Sequence, residues 1–193
     1  MFKKMKDWIV KSFNSYIDLV KTKEYRKKMF INIAVFGALF IFVFTVDWTT
    51  KDSFFDFDHQ GSNHQIDKGW IGIRSYAHYN TTMLSFIKAN VPDGLHHAMT
   101  VILALIFLAI APHASNYIVA AGIGCIFGGI IGNGIDRMIN GYVRDIIFTP
   151  WMDNGTYNIA DILTIVGSGL LFIGIVYKLI KEEIQKKKEN KGE

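Results

Sequence analysis

Long apolar runs alternate with shorter polar intervals along this chain, and the lengths of the runs set the first expectation. Four stretches, Met29–Val46, Leu95–Ala111, Tyr117–Ile135 and Ile159–Tyr177, contain only one charged residue between them, Asp161. A helix needs about 17–25 apolar residues to cross a hydrocarbon core of roughly 30 Å, so each stretch predicts a membrane span. The pattern differs upstream. Phe2, Met5, Ile9, Phe13, Tyr16 and Val20 recur every three or four positions with lysines between them, which predicts an amphipathic helix lying along a membrane surface. Between the first two runs, Trp70, Gly72, Arg74 and Tyr76 alternate with Ile71, Ile73 and Ser75, downstream of the turn-rich His59–Asn63. This period predicts a small strand-turn-strand element, with Trp70, Tyr76 and Tyr79 as aromatic anchors at headgroup level. The expected fold is an all-α polytopic membrane protein with four transmembrane helices, an extracytoplasmic β element over about 52–80 and an N-terminal amphipathic helix. Residues 1–28, 29–178 and 179–193 form its three regions, the last a charged helical extension ending in a solvated tail.

Composition fits a membrane protein, since half of the 193 residues are hydrophobic. No small-residue cleavage site follows the first run, so it reads as a retained signal anchor. Nine of the 21 lysines and arginines lie in residues 1–28 and six in 178–193. Basic flanks favour the cytoplasm, so both termini are expected inside, residues 47–94 and 136–158 outside, and Pro112–Asn116 as an inner turn. The net charge of +4 resides in the tails and calls for anionic headgroups rather than nucleic acid. The single cysteine, Cys125, excludes an intrachain disulfide and a Cys-based zinc site, and it reads as a packing residue. His59, His64, His78, His96 and His97 lack the spacing of a zinc-binding helix, so they read as scattered surface histidines and no metal is assigned.

The candidate chemistry is carboxylic. Asp47, Asp136, Asp145 and Asp161 all fall on the predicted outer side, at the mouths of the apolar runs. An ionisable group at membrane depth costs about 2.5–3.5 kcal/mol on insertion scales, which marks it as functional by default. Helix-terminal charge at Asp161 returns only about 0.3–1 kcal/mol, too little to account for it. Two carboxyls that meet can share one proton and activate water. For Asp136 with Arg137, a plain ion pair at a helix end stands beside a direct role. Gly122, Gly124, Gly128, Gly129, Gly132 and Gly134 thin the third run for close helix approach.

The third run ends in Gly128-Gly129-Ile130-Ile131-Gly132-Asn133-Gly134-Ile135-Asp136-Arg137, followed by Gly141-Tyr142-Val143-Arg144-Asp145 and then Tyr157-Asn158-Ile159-Ala160-Asp161. These runs closely resemble the lipoprotein signal peptidase (signal peptidase II) family, whose motifs read G-G-x-x-G-N-x-x-D-R, G-x-V-x-D and F-N-x-A-D. The first two match at every fixed position and the third differs only by Tyr157. A fourth motif, D-Q-x-x-K, stands as Asp47-Trp48-Thr49-Thr50-Lys51, with Trp in place of Gln; a fifth, N-T-G-x-A-F, keeps only Asn80 and Thr81. Thr82 and Met83 depart from its small residues, which puts substrate preference rather than catalysis in question. The resemblance covers about residues 30–178. It implies a catalytic pair at Asp145 and Asp161, with Asp47, Lys51, Asn80, Asn133, Asp136, Arg137 and Asn158 shaping the site. It further implies a monomeric aspartyl endopeptidase of the bacterial cell membrane, without metal or organic cofactor, with its site at the outer face. The substrates would be diacylglyceryl-modified prolipoproteins, cut before the lipid-bearing cysteine, with their acyl chains among membrane lipids. A small transporter using the carboxylates as an ion relay, and a noncatalytic lipoprotein-binding module, are the other classes compatible with the residues.

Overall fold

A computed structural model of the chain describes residues 2–58, 65–67, 71–79, 93–149 and 155–191. Helix α1 (Phe2–Lys21) precedes α2 (Lys23–Phe54), α3 (Asp93–Ile110), α4 (Tyr117–Asn140) and α5 (Ile159–Lys191), and a single 3-10 turn, Ala111–His113, follows α3. Four of these helices are long and apolar enough to span a membrane. Phe30, Ile41, Leu105, Ile165 and Phe172 project outward, an apolar surface that water would not tolerate and lipid would cover. The molecule is therefore a multi-pass membrane protein, as the apolar pattern predicts. The helices overrun the predicted spans. α2 begins before Met29 and continues past Val46, which carries Asp47 and Lys51 on one helical face four residues apart; α5 stays helical to Lys191.

α4 is the central helix. Two thirds of its apolar window is buried, 67% against 17% for each of the other three, because glycine lets neighbouring backbones close in. A Cβ on Gly124 would lie 2.6 Å from the Phe36 carbonyl oxygen of α2, and one on Gly122 would lie 2.6 Å from that of Gly167 in α5. Phe36, Val119, Ala120, Ile123 and Phe127 fill the core between them. Asparagines fasten the end opposite the aspartates. Asn32 donates to the carbonyls of Pro112 and Ala114 at 3.1 and 2.9 Å, while Asn116 caps α4 and donates to the Gly174 carbonyl at 2.8 Å.

The β element is larger than the sequence pattern predicts. β1 (Gln65–Asp67) and β2 (Gly72–His78) pair as expected, but β2 continues onto β3 (Val143–Thr149) and β3 onto β4 (Gly155–Tyr157), an antiparallel sheet in the order β1-β2-β3-β4. α4 ends because Gly141 takes a left-handed conformation at φ +76°, its amide closing on the Arg137 carbonyl, and the chain turns directly into β3. Asp145 is therefore a strand residue, beyond the end of α4.

Candidate active site

Asp161 owes its position to a helix cap. Asn158 precedes the first turn of α5, its side-chain oxygen accepts from the Asp161 amide at 3.0 Å, and the Asp161 carboxylate accepts from the Asn158 amide at 3.3 Å. This reciprocal pair is a capping box built from Asn and Asp, and it satisfies two of the helix's orphan amides. The Ala160 amide, a third, donates to Asp47 Oδ1 across the bundle at 2.9 Å. Ala160 is fully buried, and a Cβ on Gly129 would come within 2.7 Å of its carbonyl oxygen, so larger residues are excluded on both sides of this crossing. The N-x-A-D pattern is thus a set of packing and capping requirements as well as a source of carboxylate.

Asp145 is held from two sides. Asn158 Nδ2 donates to its Oδ1 at 2.8 Å, and His78 Nδ1 lies 3.0 Å from its Oδ2. Asn158 Nδ2 also donates to Asn133 Oδ1 at 3.0 Å, and Asn133 Nδ2 donates to Asp161 Oδ1 at 2.8 Å. Two asparagines therefore tie Asp145 of β3 to Asp161 of α5, and each carboxylate lies within the other's field. Asp145 is only 2% exposed. Burial pushes its carboxyl above the ordinary carboxylate value, opposed by the hydrogen bond and charge of His78, the Asn158 amide and the Lys51 ammonium.

Beneath the pair lies a buried ion network. Lys51 Nζ donates to Asp47 Oδ2 at 2.7 Å and to Asn133 Oδ1 at 2.9 Å, and it forms an ion pair with Asp136 Oδ2 at 3.0 Å. Arg144 closes the other side of Asp136, with Nε and Nη2 each 2.9 Å from Oδ1 and its backbone amide 3.1 Å from Oδ2. Gly132 leaves room for the Asp47 carboxylate, since a Cβ there would lie 2.7 Å from Oδ2. The Arg144 guanidinium also stacks 4.9 Å above the Trp48 ring, so the tryptophan that replaces the expected glutamine covers this cation. Arg137 donates to the Asn133 carbonyl at 3.3 Å and lies in the field of Asp161, Asp145 and Asp136.

Of the residues singled out from sequence, Asp47, Lys51, Asn133, Asp136, Arg137, Asp145, Asn158 and Asp161 converge at one end of the bundle, where α2 and α4 finish and α5 begins. Asn80 lies outside the described residues, as do His59, His64 and Trp70. Two expectations are corrected. Asp136 forms its ion pairs with Lys51 and Arg144, so it is not an isolated helix-end pair with Arg137. His78 and His96 are not scattered surface histidines, because His78 touches Asp145 and His96 is buried. Arg144 was not singled out either, although a strand residue adjacent to a candidate Asp necessarily addresses the opposite face.

Residues 39–177 match the family profile of signal peptidase (SPase) II. A lipoprotein signal peptidase of Lactococcus lactis is 48% identical over 56 residues, 29% of this chain, and the chain thereby spans 37% of that relative's length. The lipoprotein signal peptidase of Staphylococcus aureus is 26% identical over 165 residues, covering 84% of this chain and 97% of that one. A solved bacterial membrane enzyme shares the fold, with a TM-score of 0.63 at 22% identity over 76% of this chain and 90% of its own. The profile takes in both strand-borne and helix-borne aspartates together with the ion network beneath them, and the chain belongs to the signal peptidase II family.

Proposed function

We propose that the chain is a membrane aspartyl endopeptidase that removes signal peptides from diacylglyceryl-modified prolipoproteins, cutting on the N-terminal side of the lipidated cysteine. The observation that carries this reading is the asparagine bridge that ties Asp145 to Asp161. Two carboxyls in one another's field resist double ionisation, so one stays protonated while the other ionises. The ionised member takes a proton from water as the water oxygen bonds to the scissile carbonyl carbon; the protonated member gives its proton to the carbonyl oxygen. In the collapse the first member gives the water-derived proton to the departing amide nitrogen as the C–N bond breaks, while the second takes a proton back from a diol hydroxyl as the new carboxyl forms, which restores the pair. Asp47, Asp136 and Lys51 hold the α2–α4–α5 crossing on which this geometry depends.

The basic tails support a bacterial plasma membrane location with both termini cytoplasmic and the aspartates at the outer face. Acyl chains of the substrate then lie between helices in the outer leaflet, presenting the peptide at the level of the sheet. All members of the pair come from one chain, which makes the monomer the working unit. Incubation of the purified protein in detergent with a diacylglyceryl-modified prolipoprotein peptide tests the reading: release of the signal peptide from the lipidated form, and not from its unlipidated counterpart, is expected. Equal cleavage of both, or of neither, would remove the substrate assignment.

A further inference from the structure

We infer that His78 is a positioning residue for the aspartate pair, donating from Nδ1 to Asp145 Oδ2 so that Asp145 is the ionised member and Asp161 the one that carries the proton. The inference rests on the aspartyl peptidase reading above and assigns roles within it. It begins with strand register. His78 pairs across β2 and β3 with Val143, and Tyr76 pairs with Asp145. Alternate residues of a strand share a face, so His78 and Asp145 are diagonal neighbours on the same face, within reach of a long side chain. The contact follows: Nδ1 to Oδ2 is 3.0 Å, with His78 about one third exposed and Asp145 buried at 3% of its side chain. Tyr76 packs edge-on against the imidazole at 5.7 Å and fixes the ring.

The two carboxylates are otherwise held alike. Each accepts an asparagine side-chain amide at 2.8 Å, Asp145 from Asn158 and Asp161 from Asn133. Their remaining partners differ. Asp161 receives a fixed backbone amide from Asn158 at 3.3 Å, long for a hydrogen bond, whereas Asp145 faces a side chain that can carry positive charge. The other charged groups around Asp145 are Lys51 of α2, Arg137 of α4 and Asp161 of α5. Lys51 is fully engaged by Asp47, Asn133 and Asp136, and Arg137 is in the field of both members of the pair. Of the described groups, His78 alone contacts one carboxylate as a titratable donor and so distinguishes Asp145 from Asp161. A donor to the charged form favours ionisation, and it opposes the burial that acts on Asp145. The water proton then goes to Asp145 Oδ1 or Oδ2, and the carbonyl oxygen receives the Asp161 proton.

The test compares wild type, His78→Ala, His78→Asn and Asp145→Asn on the lipidated peptide across the range in which carboxylates titrate. His78→Ala is expected to lower kcat about 10- to 100-fold, the effect of one hydrogen bond to a charged group, with KM nearly unchanged. Its acidic limb of kcat against pH should move to higher pH, because Asp145 loses the donor that opposes burial. His78→Asn places an amide donor near the Nδ1 position and should restore most of kcat. A His78→Ala enzyme with wild-type kcat and limb, beside an inactive Asp145→Asn, overturns the proposal and leaves the aspartate pair standing. Equal losses in the Ala and Asn variants with an unmoved limb reduce His78 to packing, which overturns it too. An active Asp145→Asn overturns the pair and the proposal together. Independently of turnover, the ring nitrogen resonance of isotopically labelled His78 should shift in Asp145→Ala; an unchanged Nδ1 resonance means that the contact is not made.

Discussion

Replacing Lys51 by Met tests whether the buried network is held by charge. The side chains are similar in length, so the substitution removes the ammonium while largely filling its volume. Lys51 Nζ bonds Asp47, Asn133 and Asp136 at 2.7, 2.9 and 3.0 Å, and all three ionisable groups are fully buried. Its loss leaves two carboxylates in a space that water does not reach. Breaking a buried pair on one side costs about 3–5 kcal/mol. Asp136 keeps Arg144 and Asp47 keeps the Ala160 amide, which places the expected loss toward the lower end. For a chain of this size 1 kcal/mol corresponds to about 2–4 °C, so a loss near ~3 kcal/mol should lower Tm by roughly 6–12 °C. The protein carries its own reporter. Cys125 is its single cysteine and is only 3% exposed, so a thiol-reactive fluorophore added in detergent reports unfolding directly. Asp47→Asn combined with Lys51→Met removes both charges of the tightest pair and should recover a large part of the loss. If Lys51→Met unfolds within about 2 °C of wild type, less than 1 kcal/mol on this scale, or if the double variant loses the sum of the two singles, charge does not hold this crossing together.

Four further outcomes follow from the same geometry. Asp145→Asn and Asp161→Asn should each abolish cleavage, and the double variant should be scarcely worse, because groups that act as a unit are not additive; near wild-type turnover by either single variant would contradict the pair. Burial raises the Asp145 carboxyl above its ordinary value, so its contribution favours the folded state below pH about 3.9 and is lost as pH rises through the raised value. Wild-type Tm should therefore fall relative to Asp145→Asn as the medium goes from acid to neutral, and parallel curves would refute the sign. Gly132→Ala places a Cβ 2.7 Å from Asp47 Oδ2 and should cost about 1–3 kcal/mol by thermal unfolding, whereas Gly37→Ala, where nothing lies within 4 Å, should not destabilise. In a Cys125→Ala background, cysteines placed singly at positions 62 and 153 should react with an impermeant thiol reagent on intact cells and those at 4 and 190 only after lysis; the reverse pattern would put the aspartates on the cytoplasmic side.

Spans were legible because a helix in lipid must be apolar over its whole crossing, and Met29–Val46 or Tyr117–Ile135 can hardly be read otherwise. Their ends were not. Asp47 and Lys51 look like the polar boundary of a span, yet they are the buried last turns of α2, and what keeps them helical and dry is contact with Asn133 and Asp136 more than 80 positions away. The sheet was half legible for a similar reason. Ile71 to Tyr76 alternate in residue type, although a register shift between Ile73 and Tyr76 breaks the matching period in burial, whereas Val143–Thr149 is buried almost throughout and shows no period of two. The strand that bears Asp145 therefore left no pattern, and His78, 67 positions away, could not be linked to it. The aspartates themselves were found through motif spacing, which registers local constraints such as the Asn158–Asp161 cap.

The distribution of charge explains why the pair is suited to holding one proton. Asp47 and Asp136 are matched by Lys51 and Arg144 in direct contacts, two anions against two cations, all sealed from solvent. This lower layer is neutral by itself. The upper layer contains Asp145 and Asp161; Lys51 and Arg137 both lie in their field, and of these two Arg137 is the one the lower network does not already match. Full ionisation would leave an uncompensated charge in a largely desolvated space, while full protonation would leave Arg137 unmatched; a single shared proton leaves neither. On the proposed peptidase reading, the charge balance around the site sets how many protons the pair holds, and the contacts of individual oxygens then decide where the proton resides. An exchange of Arg137 for a neutral residue of similar size should consequently disturb turnover more than folding, because the lower network would remain matched.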